Sequence, residues 1–194
     1  DKQAAQILIF SAEGKLKGMA PVLLGSAHGD LSADGVGDRE LKDIPMEDRT
    51  TPAGRFLAGY MDYEEKDPLG GLYRLDPDLR VTKLDGGIIV SNGPCFSLDG
   101  GTLYFADSWT RCIFAYGYDT ATGNLVSRKL FTSFEQTGLR GYPDGATVDA
   151  EGYVWSAEVY GGRLVRFAPD GTVDRLVGMP VDSITSLNFG GADL

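Results

Sequence analysis

SNGPCFSLDGGTLYFADS (91–108) and YPDGATVDAEGYVWSAEV (142–159) are two versions of one pattern. Each opens on a small oxygen-bearing side chain followed by glycine, Asn92 before Gly93 and Asp144 before Gly145. Each then passes through an acidic turn, Ser97-Leu98-Asp99-Gly100-Gly101 or Val148-Asp149-Ala150-Glu151-Gly152, and closes on an aromatic-rich strand. The reading places Asn92 and Asp144 in short loops just ahead of a strand, at the same point of the unit and 52 residues apart. A supersecondary unit used more than once is the mark of a repeat architecture, in which equivalent positions converge on a common centre. An amide oxygen and a carboxylate meeting on such an axis make half of a hard-cation site.

Working outward, the chain from about Gly54 onward consists of short apolar or aromatic runs punctuated by Gly, Asp, Asn and Pro, with no sustained helical period, which predicts an all-β fold. Strands are expected at 55–63, 71–75 and 81–84, the last two joined by a turn at Asp76-Pro77-Asp78. A second set is expected at 94–98, 102–106, 111–118 and 125–131, and a third at 145–148, 153–158, 163–167 and 173–177 with a hairpin turn at Ala168-Pro169-Asp170-Gly171. Units of four antiparallel strands are the size of a β-propeller blade. Residues 183–189 read as the opening strand of a further blade. Before these blades, 6–10 and 15–19 read as a hairpin around Ala12-Glu13-Gly14, 22–24 as a third strand and 25–43 as a long glycine-rich loop. The expected organisation is a single domain, with divergent strands and a loop over 1–50 and propeller blades over 51–194. Three to four blades leave sheet edges open, so the ring is expected to be incomplete, or covered by further strands or an oligomer.

Composition narrows the function classes. With 42% hydrophobic residues and 27 glycines the chain can bury a core but is built around turns. A net charge of -10 opposes binding to nucleic acid or to an anionic membrane. No apolar run approaches the roughly 20 residues of a membrane helix, and no signal peptide is legible, so a soluble protein is expected, with the cytoplasm favoured. Cys95 and Cys112, the only cysteines, read as small buried hydrophobes, although a disulfide between neighbouring strands stays open. His28 is the only histidine and stands in the glycine-rich loop, which argues against Ser-His-Asp or multi-histidine chemistry. Trp109 and Trp155, with Tyr104, Phe105 and Phe114, are expected on strands, packing between blades.

Eight motifs then occur in order: 51–61 (TPAGRFLAGYM), 71–75 (GLYRL), Ser91-Asn92-Gly93, 103–108 (LYFADS), 118–123 (YDTATG), Pro143-Asp144-Gly145 with 148–152 (VDAEG), 161–166 (GGRLVR) and Phe189-Gly190-Gly191. Together they resemble the SMP-30/gluconolactonase/luciferin-regenerating (regucalcin-like) family. The resemblance implies a six-bladed propeller, here with about three to four blades, holding one divalent cation (Ca, Zn, Mn or Mg) on its axis and hydrolysing sugar lactones beside it. By position it implies that Asn92 and Asp144 are metal ligands, that Asp144 is also the general base, and that Glu64 faces the substrate hydroxyls. Two family features are missing. The Glu-Gly-Pro segment that supplies a third ligand has only Glu13-Gly14 as its nearest counterpart, and the Asn-Asp-Gly expected before the Pro-Ala-Gly-Arg run is replaced by Met46-Glu47-Asp48.

A cation that polarises a lactone carbonyl and acidifies a water supplies the chemistry of ring opening, with an aspartate able to accept the proton. On the residues alone, Asn92 and Asp144 could equally be turn residues bonding nearby backbone. The alternative function is a degenerate or cropped propeller without catalysis, serving as a binding or interaction module.

Overall fold

Antiparallel hairpins follow from the short apolar runs and tight turns of this chain, and the computed structural model is built from them: the described residues, 6–10, 16–21, 56–76 and 80–190, hold thirteen strands and no helix. β1 (Gln6–Phe10) and β2 (Leu16–Pro21) pair antiparallel, as expected for the N-terminal hairpin, and belong to a compact unit of Asp1–Gly54 with Gly190–Leu194. The turn at Ala12-Glu13-Gly14, His28, the strand expected at 22–24 and the loop at 25–43 lie outside the described residues, as does most of the turn expected at Asp76-Pro77-Asp78.

The second unit, Arg55–Phe189, carries three sheets. The first has β3 (Phe56–Tyr60), β4 (Gly70–Leu75) and β5 (Val81–Ile88). The second has β6 (Ser91–Phe96), β7 (Thr102–Asp107), β8 (Cys112–Asp119) and β9 (Asn124–Ser133). The third has β10 (Tyr142–Val148), β11 (Val154–Val159), β12 (Arg163–Phe167) and β13 (Val173–Gly178). In each, strands lie side by side in chain order, the meander of a propeller blade.

Consecutive sheets bury their faces against each other. Leu72 and Ile88 of the first meet Leu103, Phe105 and Tyr116 of the second. Tyr104, Ala106 and Ile113 of the second, with Phe134 and Leu139 that follow it, meet Val154, Val165 and Phe167 of the third. Burying one such Phe or Leu side chain is worth about 1.5–3 kcal/mol. Polar locks set the relative position of the sheets. Tyr116 Oη donates to Asp85 Oδ2 at 2.7 Å, Arg128 reaches the same oxygen at 3.1 Å while lying 3.9 Å over the Phe114 ring, and Arg74 reaches Asn124 Oδ1 at 2.9 Å.

Three details differ from the sequence reading. β5 runs on to Ile88 through two register slips against β4, which brings Asp85 opposite Tyr116. Trp109 is not on a strand: β7 ends at Asp107, and Trp109 lies in the turn before β8 with its ring edge-on to Tyr142, centroids 4.9 Å apart. Residues 183–189 form no strand; one bridge, Ser183 to Val159, and a hydrogen bond from Gly145 N to Thr185 O at 2.8 Å are too few to make a ladder. Cys95 and Cys112 are free thiols with no shared register, since Cys95 faces Tyr104 while Cys112 faces Asp107 and Ser133. Burial pushes the Cys95 thiol up to about 12, which makes it inert.

A buried carboxylate closes each complete sheet at the end of its second strand. Asp107, 1% exposed, accepts from the amides of Ile89 (3.1 Å) and Val90 (3.0 Å) just before β6. Glu158, 0% exposed, accepts from the amides of Arg140 and Gly141, both at 2.8 Å, just before β10. Glu158 also takes two hydrogen bonds from Arg163, at 2.7 and 2.9 Å. Burial pushes the Glu158 carboxyl up, but its bonds to Arg163 and to the Gly141 and Arg140 amides outweigh this and hold it below the ordinary glutamate value. Its stabilising contribution is therefore complete above the unfolded-chain value of about 4.3 and disappears as pH falls through the lower folded value. Glu158→Gln is expected to cost about 3 kcal/mol at pH 7, because it strands the Arg163 guanidinium. Urea midpoints measured from pH 7 down to pH 3 should show a shallower acid loss in the variant than in the parent.

Candidate functional site

Asn, Gly, Pro and Asp are poor strand formers, which is why sequence reasoning places Asn92 and Asp144 in loops. They lie instead inside β6 and β10, the first strands of their sheets. Each sits at a bulge: the β6–β7 register slips between Asn92 and Cys95, and the β10–β11 register between Pro143 and Ala146. A bulge leaves a residue unpaired and re-aims the side chain beside it. Gly93 takes φ of +56°, a conformation that glycine reaches without a Cβ clash.

The same two positions bring neighbouring strands into close approach. A Cβ on Gly93 would lie 2.5 Å from the Asp144 carbonyl oxygen, and one on Gly145 would lie 2.7 Å from the Thr185 carbonyl oxygen. Each glycine thus admits the backbone that follows it around the centre. The far ends of the second strands meet the starts of the next first strands in the same way. Ser91 Oγ donates to Tyr60 O at 2.7 Å, Ser108 Oγ donates to Pro143 O at 2.7 Å, and Val159 bridges Ser183. These contacts identify β3 as the counterpart of β7 and β11. They also gather Tyr60, Ser91, Ser108 and Pro143 at one end of the sheets.

Asn92 and Asp144 are therefore brought onto adjoining strands. Asn92 Nδ2 donates to Ser108 Oγ at 3.0 Å, so its amide is tied through that hydroxyl to Pro143, the residue before Asp144. Asp144 is half-buried and has no ion-pair partner among the described residues. Burial pushes its carboxyl up, and the Gly145 amide opposes this less strongly. Glu64 occupies the turn after β3, which leaves the sheet where Tyr60 meets Ser91. Its carboxylate is exposed and engaged by Lys66 Nζ at 2.5 Å.

The aromatic residues at this end include Trp109, Tyr142 and Tyr160 besides Tyr60, with Tyr142 edge-on to Tyr160 at 6.3 Å. Trp155, by contrast, spends its indole N–H on Asp149 Oδ2 at 2.8 Å and serves the β10–β11 turn. A cavity of about 340 Å³ lies elsewhere, among β7–β9 and the Pro169-Asp170 turn, and touches neither Asn92 nor Asp144.

The donor set suits a hard cation. Asn92 offers an amide oxygen that takes no hydrogen bond among the described residues, and Asp144 a half-buried carboxylate without a counter-charge. Among the described residues no three His, Cys, Asp or Glu side chains cluster, and Glu13 lies outside them. Asn92 and Asp144 would supply two of the six or more oxygens that calcium takes. Sequence reasoning missed Ser108, Asp107 and Glu158. The available signal was a polar residue closing an otherwise apolar strand, as in Phe105-Ala106-Asp107-Ser108 and Ser156-Ala157-Glu158.

Residues 32–194 match the family described as SMP-30/gluconolactonase/LRE-like region. The chain is 40% identical over 144 residues to pentonolactonase XacC of Haloferax volcanii, covering 74% of this chain and 48% of that protein. It is 39% identical over 151 residues to regucalcin of Xenopus laevis, covering 75% and 50%. Among solved structures it resembles a luciferin-regenerating enzyme, with a TM-score of 0.71, 31% identity, and 74% and 48% of the two chains covered. The chain thus spans about half the length of these curated relatives.

Gly93→Ala should test the close approach on which the paired strands rest. The added Cβ meets the Asp144 carbonyl in a left-handed backbone conformation, so a loss of about 2–4 kcal/mol is expected in denaturant titration. Gly178→Ala, where a Cβ would meet nothing within 4 Å, serves as the control and should stay within about 1 kcal/mol of the parent.

Proposed function

The chain belongs to the SMP-30/gluconolactonase/LRE-like family, and from that premise we propose that it carries part of a divalent-cation-dependent hydrolase that opens sugar lactones. The observation that carries the reading is the pairing of Asn92 and Asp144, one amide and one uncompensated carboxylate, on adjoining first strands tied through Ser108. The name of the Haloferax relative, a pentonolactonase, supports the substrate class. A divalent ion held there, Ca, Zn, Mn or Mg, would supply Lewis acidity toward the lactone carbonyl and acidify the attacking water.

The chain's own residues carry the remaining roles. Asp144 accepts the proton of the attacking water. Water oxygen adds to the carbonyl carbon, the ring C–O bond breaks, and the departing ring oxygen takes up a proton, so one lactone and one water give one hydroxy acid. Asn92 would hold the cation through its amide oxygen and contributes no proton. Glu64, on the turn beginning beside Ser91, steers substrate hydroxyls once it releases Lys66. Trp109 and Tyr160 give that end of the sheets an apolar wall against which a sugar ring can lie.

Asp144→Ala is expected to lower gluconolactone hydrolysis by at least about 100-fold, and Asn92→Ala to weaken activation by added cation. A pH-stat assay with Ca²⁺, Mn²⁺, Zn²⁺ or Mg²⁺, against a chelator control, measures both. Turnover that ignores the chelator, or an Asp144→Ala protein as fast as the parent, would exclude the reading.

A further inference from the structure

We infer that Ser108 is a positioning residue, which turns the Asn92 amide so that its oxygen, and not its nitrogen, is presented to a cation beside Asp144. The inference rests on the cation-dependent reading of the Asn92–Asp144 pair and adds the residue that orients one of its ligands. Proton counting carries the argument. The carbonyl of Pro143 can only accept, so the single Ser108 O–H, 2.7 Å away, must donate to it. With its hydrogen committed, Ser108 Oγ can only accept from Asn92, 3.0 Å away. The group that Asn92 turns toward it must therefore be the NH₂, and the rigid amide plane directs Oδ1 to the other side. The orientation of an asparagine amide is a question that only its hydrogen-bond partners answer, and here they allow one solution.

Ser108 is well placed to enforce this choice. It is 1% exposed, so water does not compete for its lone pair. Its own amide donates to Val90 O at 2.9 Å, beside the two amides held by Asp107. The hydroxyl thus sits on a fixed backbone and couples both ligand strands, β6 through the Asn92 side chain and β10 through the Pro143 carbonyl. Without it the amide has no directional partner, and the flipped state offers NH₂ hydrogens, which a cation repels. Hydrogen bonds that orient a metal ligand typically carry about 10–100-fold in affinity.

The chain contains three asparagines, Asn92, Asn124 and Asn188, so side-chain NH₂ signals in an ¹⁵N-asparagine-labelled protein are readily separated. Hydrogen exchange of the Asn92 NH₂ in the parent protein should be at least about tenfold slower than that of exposed Asn188, and Ser108→Ala should abolish the difference. Mn²⁺ affinity, read from paramagnetic broadening, should fall about tenfold or more in Ser108→Ala and recover in Ser108→Thr, which restores the hydroxyl. In an Asn92→Ala background, Ser108→Ala should cause no further loss, whereas a general structural role would persist there. An unprotected Asn92 NH₂ in the parent overturns the inference even if the variants fold poorly. Equal Mn²⁺ affinity in the parent and Ser108→Ala overturns it as well. Absence of Mn²⁺ binding by the parent is a distinct failure: it removes the cation-dependent reading, and with it the role of Ser108.

Discussion

Two buried carboxylates, Asp107 and Glu158, hold the backbone that enters the first strand of each complete sheet. A buried amide without an acceptor costs about 1–3 kcal/mol, and each entrance, before β6 and before β10, presents one buried and one half-buried amide. Placing an acceptor at the end of the neighbouring second strand satisfies both and sets where the first strand begins. The side chains that follow, Asn92 and Asp144, inherit their position from this clamp. Glu158 is further secured by Arg163, whereas the Asp107 carboxylate has only its two amide partners among the described residues.

Sheet packing and site geometry are linked through the same strands. The faces of the three sheets are filled by Leu72, Leu103, Phe105, Val154 and Phe167, all fully buried. Their first strands are free to carry residues that a sheet interior would not tolerate, because the bulges at Asn92 and Asp144 suspend the ladder there. Gly93 and Gly145 then let adjoining backbones approach more closely than any Cβ would permit. At one end of the sheets Ser108 links the Asn92 side chain to the Pro143 carbonyl, next to Asp144, in a chain of two hydrogen bonds. The candidate site and the framework thus share residues, Gly93 and Ser108 among them.

Much of this was legible in the sequence. Alternating runs and turn residues gave the strands from Gly70 to Gly178 within a few positions, because each hairpin is specified locally by its own turn. The repeat of Asn92-Gly93 and Asp144-Gly145 pointed to a shared location, and the structure puts the two on adjoining strands. What misled the reading was propensity. Asn92 and Asp144 look like loop residues, Trp109 looks like a strand residue, and residues 183–189 look like a strand, yet pairing partners supplied from far along the chain decide each case differently.

The sequence by itself determined the all-β class, the blade-sized units and the family kinship, and it singled out Asn92 and Asp144 as candidate oxygen donors, since all of these are written in local pattern and residue type. Only the tertiary structure decided which groups act on those donors. Ser108 and Pro143 are 35 residues apart, and Asn92 lies 16 residues from Ser108. A hydrogen bond depends on distance and direction in space, and neither exists until the sheets have packed face to face.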